Sequence, residues 1–336
     1  MKTTIADIAR EAGVSKATVS RVLNESLDGV GIETRLRVKG IMEERRYEPC
    51  GIARGLATGK TRSVGLIVPD IADPFFPLLI RGIEAALGSH GYGLFLCDAH
   101  LDPKKEREHL RMLAEKRVDG VILNSTLSDS DGPWDTLDQR AIPYVLLDRM
   151  VEAPASAYGV FADNRLGARM ATELLLTRGR RLAFINGPAG LSISKLRKQG
   201  VEEALGAHGL TWEAVRMANG DYSMESGERA LETLWEPGAL GFDAVFAAND
   251  RMAIGAMRAL QRRGLLVPDD VEVVGFDDIE TARLVEPPLT TVAQPAFEMG
   301  RQAAQMLLDL ISGNPPSQQT IVLEPTLVIR KTTRQT

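Results

Sequence analysis

The chain has 336 residues, of which 44% are hydrophobic and 25% are charged, and its net charge at pH 7 is −5. This length suits a small domain joined to a larger one, and the composition is ordinary for a soluble globular protein. No apolar run approaches the roughly 18 residues that a membrane span needs, so we expect no membrane contact.

The charge distribution indicates where the protein would bind nucleic acid, and the cysteines and histidines indicate its compartment and whether it would hold a metal. The negative total argues against a generally basic nucleic-acid coat, but residues 1–60 carry 11 Lys and Arg against 8 Asp and Glu. A head of net charge +3 on a body of −8 fits a localised DNA contact. No signal peptide precedes Cys50 and Cys97, so both are expected to be reduced in the cytoplasm. The four histidines show no zinc-ligand spacing, and we expect neither a metal site nor a cofactor.

The first 24 residues read as two short helices joined by a tight turn. Thr4 can cap the first helix, and Asp7 three residues later completes a capping-box pattern. The apolar residues of that helix then fall at i, i+3, i+4 and i+7: Ile5, Ile8, Ala9 and Ala12. Gly13 suits the left-handed residue that ends a helix, and Ser15 is the N-cap of the next one.

The second helix has two unlike faces. Its inward face is apolar, with Val19, Val22 and Leu23, whereas its outward face is small, polar or basic. This is the arrangement of a helix-turn-helix whose second helix reads a DNA major groove. The alternative, a helical hairpin that packs on a larger body, needs a second apolar face or a salt-bridged one, and the sequence has neither. Expected DNA contacts of the head are Thr4, Ser15, Lys16, Ala17, Thr18, Ser20, Arg21 and Asn24.

Residues 12–24, A-G-V-S-K-A-T-V-S-R-V-L-N, resemble the lactose/galactose-repressor (LacI/GalR) family of bacterial transcription regulators, and the resemblance continues along nearly the whole chain. It implies a DNA-binding head, a hinge helix and a ligand-binding body. Because one recognition helix reads only a few base pairs, we expect a homodimer on pseudo-palindromic, double-stranded operator DNA.

A third helix follows a loop that is one residue longer than the family pattern. It is expected at about residues 32–46, with four apolar residues closing a small core: Ile32, Leu36, Val38 and Ile41. Gly31 stands where the family usually has a serine cap, and Gly40 costs the helix interior about 1 kcal/mol. Pro49 ends the head, because it biases the preceding residue out of helical conformation.

A short, weakly helical segment at residues 52–57 precedes a linker. It resembles the family's hinge helix, which orders on operator DNA and lies in the minor groove, so Ala53 and Leu56 are further expected DNA contacts. Leu56 takes the position of a wedge that unstacks a base step. A plain linker is the alternative. The nearby A-T-G-K-T is not a phosphate loop, because Arg54 stands where that motif needs glycine and the stretch precedes a strand.

From Ser63 onward, single strands alternate with helices. Strands are expected at 64–68, 94–97, 118–123, 144–147, 158–161, 182–185, 244–247 and 271–275, and helices at 75–89, 103–116, 166–177, 194–208, 224–234 and 250–263. Such alternation predicts parallel sheets covered on both faces. The expected fold class is a small all-α helix-turn-helix head plus an α/β body of two parallel-sheet lobes, similar to a periplasmic binding protein, with a cleft at the carboxyl ends of the strands.

The resemblance also implies where the chain crosses between the lobes: near residues 161–164, 291–295 and 320–324. A helix at 297–310 would then return to the first lobe, and residues 327–329 would end in the second. The expected domains are the DNA-binding head at 1–48, the hinge helix and linker at 49–62, and the effector-binding and dimerisation body at 63–336.

Polar and aromatic residues follow many of the predicted strands, where their side chains would project into the cleft. Carboxylates, amides and arginines bind hydroxyl groups in fixed geometry, and aromatic faces pack against sugar rings. The set is similar to that of bacterial ribose-type sugar-binding proteins. Expected effector-binding residues are Asp73, Phe75, Phe76, Asp148, Arg149, Arg197, Tyr222, Asn249, Asp277 and Gln294. Asp163, Asn164 and Asp278 are expected to be structural.

The sequence leaves two alternatives open. One is the same regulator with a purine effector, although the aliphatic Leu191 and Ile193 disfavour a nucleobase. The other is a sugar-transport module, which would need export. An enzyme is not expected, because catalytic motifs and a clear carboxylate pair are missing from the sequence. We expect a cytoplasmic repressor whose operator affinity is controlled by a monosaccharide or sugar derivative.

Overall fold

The computed structural model describes residues 3–23, 29–47, 59–125, 134–149, 157–177, 181–235 and 241–334. The chain divides into two compact units, the head Met1–Arg62 and the body Ser63–Thr336. Three expected DNA contacts, Asn24, Ala53 and Leu56, lie outside the described residues. Within the described ranges, no helix has the length and apolar character to cross a membrane.

The head contains three short helices, α1 (Ile5–Glu11), α2 (Lys16–Leu23) and α3 (Ile32–Glu44). The predicted capping box is present: the Thr4 hydroxyl accepts from the Asp7 amide, and the Asp7 carboxylate accepts from the Thr4 amide. Gly13 has a φ of 65°, and Ser15 Oγ accepts the Thr18 amide at 3.1 Å at the start of α2. The chemistry of these caps and turns therefore sets the helix boundaries.

The core of the head is small and differs from the prediction on α3. Ile8, Val19 and Val38 are fully buried. The prediction that Ile32 and Leu36 close this core is wrong, because their side chains are 74% and 67% exposed. Leu36 and Val38 are two positions apart, about 200° around a helix of 3.6 residues per turn, so they point to opposite sides.

The body alternates strands and helices along most of its length. The elements in order are β1 (Ser63–Val68), α4 (Phe76–Ser89), β2 (Gly93–Asp98), α5 (Pro103–Glu115), β3 (Gly120–Leu123), α6 (Trp134–Asp138), β4 (Tyr144–Leu147), β5 (Tyr158–Ala162), α7 (Asn164–Leu176), β6 (Leu182–Asn186), α8 (Ser192–Ala207), β7 (Arg216–Asn219), α9 (Met224–Leu234), β8 (Ala244–Ala247), α10 (Asp250–Arg262), β9 (Glu272–Asp277), α11 (Thr281–Leu284), β10 (Thr290–Ala293), α12 (Ala296–Ile311), β11 (Thr320–Leu323) and β12 (Thr326–Val328). Every strand and helix predicted for the body is found to within a few residues. The hinge helix predicted at residues 52–57 lies outside the described residues. The short helices α6 and α11 and the edge strands β7 and β11 were not predicted; α6 and β7 have no apolar run.

The strands form two six-stranded sheets, one in each lobe, in the orders β11-β5-β4-β3-β1-β2 and β12-β10-β9-β8-β6-β7. All pairs in the first sheet are parallel. The second is parallel except for β12, which runs antiparallel to β10. The central strands β3 and β8 are buried along their whole length, as expected for strands covered by helices on both faces.

The chain passes between the lobes three times, after β5, β10 and β11, as the family resemblance implies. The returning helix α12 packs against α4 of the first lobe with the two backbones in contact. A Cβ on Gly82 would lie 2.0 Å from the carbonyl oxygen of Phe297, and a Cβ on Gly300 would lie 2.0 Å from that of Leu79. Each lobe is thus assembled from segments that are distant in the sequence.

Candidate functional site

The outward face of α2 is polar and carries five of the expected DNA contacts. Lys16, Ala17 and Arg21 are exposed. Thr18 and Ser20 are half-buried. The opposite face is closed by the buried Val19 and Val22. Thr4 and Ser15 are exposed at the starts of α1 and α2, where they also cap the helices. A basic helix face next to exposed helix starts can contact base edges and phosphates together.

The expected effector residues meet in one cleft between the two lobes of the body. The cleft is lined by all ten of them and by Ile193: Asp73, Phe75, Phe76, Asp148, Arg149, Ile193, Arg197, Tyr222, Asn249, Asp277 and Gln294. They meet because the strands of both sheets direct their carboxyl ends at the cleft. The space at its centre is about 30 Å³, room for roughly two waters. A larger ligand therefore requires the lobes to move apart.

Arg197, on α8, is held from several sides. Its Nε donates to Asn164 Oδ1 at 2.8 Å, and its Nη1 donates to the carbonyl oxygen of Ala248. The guanidinium lies 3.8 Å from the centre of the Phe276 ring, a cation–π contact. Its Nη2 is 3.5 Å from Asp277 Oδ1, and both side chains are more than 90% buried. The cleft therefore contains a fixed, buried arginine–carboxylate pair.

Two carboxylates in the cleft accept hydrogen bonds from side-chain amides, and several polar atoms beside them have no hydrogen-bond partner among the described residues. Asp277 Oδ1 accepts from Gln294 Nε2 at 2.8 Å, and Asp148 Oδ2 accepts from Asn124 Nδ2 at 3.1 Å. Four buried atoms here have no hydrogen-bond partner in the part of the chain that is described: Asp148 Oδ1, Asn124 Oδ1, Gln294 Oε1 and Arg149 Nε. Buried polar atoms in proteins are normally paired, so this group has capacity for a polar ligand.

Aromatic side chains form the apolar walls. Phe75 and Phe76 meet edge to face, with ring centres 5.4 Å apart. On the other lobe, the Tyr222 hydroxyl is 2.8 Å from Ser194 Oγ. Asn249 donates from Nδ2 to the Tyr222 carbonyl oxygen, while its Oδ1 accepts the Met252 amide and caps α10. The walls are therefore held by contacts within each lobe.

One group of charged residues bridges the two lobes. Arg251, near the start of α10 in the second lobe, faces two acids that follow β1 in the first. Its Nη1 lies 3.8 Å from Asp70 Oδ2 and 3.7 Å from Asp73 Oδ2. Because the partners belong to different lobes, this ion pair favours the arrangement in which the cleft is closed.

Burial shifts the acids of the cleft toward their protonated forms. It raises the pKa of Asp277 well above its ordinary value, with the Arg197 charge acting in the opposite direction. Burial likewise raises the pKa values of Asp148, opposed chiefly by Arg149, and of Asp73, opposed by the Phe75 amide and Arg251. Ligand hydroxyl groups that donate to these acids would favour their ionised forms.

Three residues that line the cleft have left-handed backbone conformations without being glycine. Asp148 has a φ of 65°, Tyr222 of 70° and Asp277 of 111°. Such conformations cost about 1–3 kcal/mol each and persist where the surrounding structure fixes them. Asp148 directly follows β4 and Asp277 ends β9, while Tyr222 lies in the loop between β7 and α9; all three line the cleft.

The three residues expected to be structural differ in their contacts. Asp163 caps α7 by accepting the Leu166 amide, and Asp278 pairs with Arg330 outside the cleft. Asn164, in contrast, fixes Arg197 and so contributes to the site.

Sequence reasoning missed Asn124, which binds Asp148. The signal was available, because Asn124 directly follows β3 in the same way that the other polar residues follow their strands.

Comparison with known proteins gives similarities to both units. Residues 4–50 match the family described as bacterial regulatory proteins, lacI family, and residues 171–333 match the periplasmic binding protein-like domain. The ribose operon repressor of Halalkalibacterium halodurans is 36% identical over 337 residues, which cover 99% of this chain and 97% of that protein.

Two solved structures extend over nearly the whole chain. The complex of the transcriptional regulator CelR with cellobiose is 35% identical, with a TM-score of 0.74 over 98% of this chain and 99% of that chain. The lac repressor dimer bound to operator and the anti-inducer ONPF is 29% identical, with a TM-score of 0.86 over 99% of both chains. Head and body are thus similar to the same group of proteins.

Proposed function

The chain belongs to the lacI family of bacterial regulatory proteins and is a DNA-binding transcription regulator rather than an enzyme, and we propose that it is a homodimeric repressor controlled by a monosaccharide. The effector would bind in the cleft of the body and change the affinity of the two heads for operator DNA. The protein would act in the cytoplasm, where operator DNA is found.

The observation that carries the effector assignment is the set of unpartnered atoms in the cleft. Asp148 Oδ1 and Gln294 Oε1 are acceptors and Arg149 Nε is a donor, and all three are buried. A sugar hydroxyl can donate to one such group and accept from another, so a ring with several hydroxyls satisfies the set. Phe75 and Phe76 offer apolar surface for the carbon face of the ring.

Size and chemistry favour a small sugar over the alternatives. The central space of about 30 Å³ requires less opening of the lobes for a monosaccharide than for a disaccharide such as cellobiose. Ile193 on the lining presents no hydrogen-bonding group to the edge of a purine. The ribose operon repressor is a relative over almost its full length, so D-ribose is the first candidate.

The proposed roles of the domains are those that the lacI family implies. We assign DNA binding to a head at residues 1–48, operator-dependent ordering to a hinge at 49–62, and effector binding and dimerisation to a body at 63–336. Lys16, Ala17 and Arg21 would face base edges, since they are the exposed residues on the polar face of α2. Two heads related by the dimer axis would bind a pseudo-palindromic site.

The test begins with the purified full chain. Thermal melts with D-ribose, D-xylose, D-glucose, cellobiose, hypoxanthine and guanine identify the effector, because a ligand at 100 times its Kd stabilises the folded state by about 2.7 kcal/mol. Calorimetry then measures its Kd. We expect a pentose or hexose to bind, whereas binding of hypoxanthine or guanine without heat from any sugar would contradict the assignment.

A second experiment examines the DNA partner. Selection from random duplexes should yield a two-fold repeated sequence, and fluorescence anisotropy then measures operator affinity with and without the effector. An effector that changes this affinity in either direction supports the regulator. A sugar that binds tightly but leaves DNA affinity unchanged would contradict the proposed control of the repressor by that sugar.

A further inference from the structure

A buried acid lies behind the cleft without lining it. Asp250 is the first residue of α10 and is fully buried, yet it is not among the residues that face the ligand space. Its Oδ2 accepts the Ile279 amide at 2.9 Å, and its Oδ1 accepts the Thr291 hydroxyl at 2.5 Å. One carboxyl group thereby joins three elements: α10, the turn after β9, and β10.

The turn that Asp250 holds is the one that carries Asp277. Asp277 and Asp278 both have positive φ, at 111° and 56°, so two successive residues that are not glycine hold a conformation that favours glycine. Their side chains diverge: Asp277 faces Arg197 in the cleft, whereas Asp278 pairs with Arg330 outside it. A turn of this kind is retained only where neighbouring groups fix it.

The fit between Asp250 and β9 is close. A Cβ on Gly275 would lie 2.2 Å from Asp250 Oδ1, so only glycine at that position leaves room for the carboxyl group. Three consecutive residues of β9 have separate contacts. Gly275 leaves room for the Asp250 carboxyl group, the ring of Phe276 contacts the Arg197 guanidinium, and Asp277 lies in the cleft beside Arg197.

We propose that Asp250 is a positioning residue for effector binding: its carboxyl group fixes the 277–279 turn and so directs the Asp277 carboxylate at the ligand. The inference rests on the proposed function, since it assigns a role in that same cleft. Asp250 is not among the residues that line the cleft, so it would act on the ligand through the turn that its hydrogen bond to Ile279 holds.

The test compares three variants of the full chain with the wild type by calorimetry against the sugar that the thermal melts identify, with D-ribose tried first. Asp250→Ala removes both acceptors and should weaken sugar binding by about tenfold or more, because an Asp277 that is no longer directed at the sugar loses its charge-assisted hydrogen bond to it. Asp250→Asn keeps an acceptor for the Ile279 amide and should bind within about threefold of wild type. Glu272→Ala is the matched control, because Glu272 is an equally buried acid at the other end of β9. It should lower the melting temperature without changing the Kd.

Circular dichroism at the assay temperature establishes that each variant is folded. Equal sugar affinity in Asp250→Ala and wild type would overturn the proposal. So would an equal loss in Asp250→Ala and Asp250→Asn, because the asparagine retains the hydrogen bond.

Hydrogen exchange on the wild type supplies a readout that needs neither a variant nor a ligand. Peptides spanning residues 276–281 should show the Ile279 amide protected by at least about tenfold relative to an unstructured chain. An unprotected Ile279 amide would overturn the proposal even if Asp250→Ala does not fold. If the wild type binds no sugar, the proposed function fails, while this exchange measurement still reports whether the Ile279 amide is held in the turn.

Discussion

Replacement of Asp277 by alanine should separate effector binding from DNA binding. The substitution removes the carboxylate that lies 3.5 Å from Arg197 and accepts from Gln294 at 2.8 Å. A hydrogen bond to a charged group contributes about 1.5–3 kcal/mol, so losing one such bond to a sugar hydroxyl weakens binding by roughly 10- to 150-fold. The variant should be less stable, because Arg197 loses its buried carboxylate partner, but Arg197 keeps its contacts with Asn164 and the Phe276 ring. Circular dichroism establishes that the variant is folded.

The assay is calorimetry with the sugar, followed by operator binding without it. Asp278→Ala is the matched control, since Asp278 is the adjacent acid but pairs with Arg330 and not with groups of the cleft. We expect Asp277→Ala to bind operator like wild type and to lose its response to sugar, while Asp278→Ala responds. Undiminished sugar affinity in Asp277→Ala, or an equal loss in both variants, would refute the reasoning.

Three further predictions concern the head, the lobe contact and pH. Arg21→Ala should weaken operator binding by about 1–3 kcal/mol and relax specificity at one base pair. The control is Arg229→Ala, at an exposed residue of the body, which should have no effect on operator binding. Tight binding of a monomer to a non-repeated site would contradict this interpretation of the head. Arg251→Gln should lower sugar affinity by up to about fivefold, because a partly exposed ion pair contributes about 0.2–1 kcal/mol. Arg262→Gln, which breaks an ion pair within one lobe, is its control, and equal effects of the two would show that the bridge between lobes has no special role. Burial raises the pKa of Asp250 from 3.8 to about 7, so the folded state holds a proton that the unfolded state has released between those pH values. This contribution to stability is present below about pH 4 and is lost as the pH rises toward 7, by at most about 1.4 kcal/mol per pH unit. The unfolding free energy of Asp250→Asn should therefore rise relative to that of wild type between pH 5 and 7, since asparagine does not titrate. Urea titrations measure both free energies, and a difference that stays constant across that range would contradict a pKa of about 7 for Asp250.

The positions of the cleft residues could be predicted because they follow from topology. In a parallel sheet every strand ends at the same edge, so a polar residue directly after a buried run, such as Asp148 or Gln294, must lie near the cleft. The same rule applied to β3 would have included Asn124. The role of Asn164 was not predictable in this way, because it depends on where Arg197 projects from the neighbouring helix α8.

Other features depend on details that a single sequence does not encode locally. Ile32 and Leu36 are apolar, but whether they face the core depends on the rotation of α3 against α1 and α2. The strand β7 lies at a sheet edge with residues that are only partly buried, so it lacks the apolar run by which strands are recognised. The positive φ of Asp277 is also invisible in the sequence, since aspartate rarely adopts that conformation.

The three crossings between the lobes have a consequence for synthesis of the chain. The strands β1 to β5 are complete once residue 162 has been made, but α12 and β11 of the same lobe end only at residues 311 and 323. At about 5–20 residues per second, the interval is roughly 8–30 s. During that time the faces of α4 and of β3 to β5 that α12 later covers have no partner from their own lobe. The first lobe begins to form first, but neither lobe is complete until the last strands are made, since β12 of the second lobe ends at residue 328. A chain that stops anywhere before α12 therefore cannot leave a complete lobe behind.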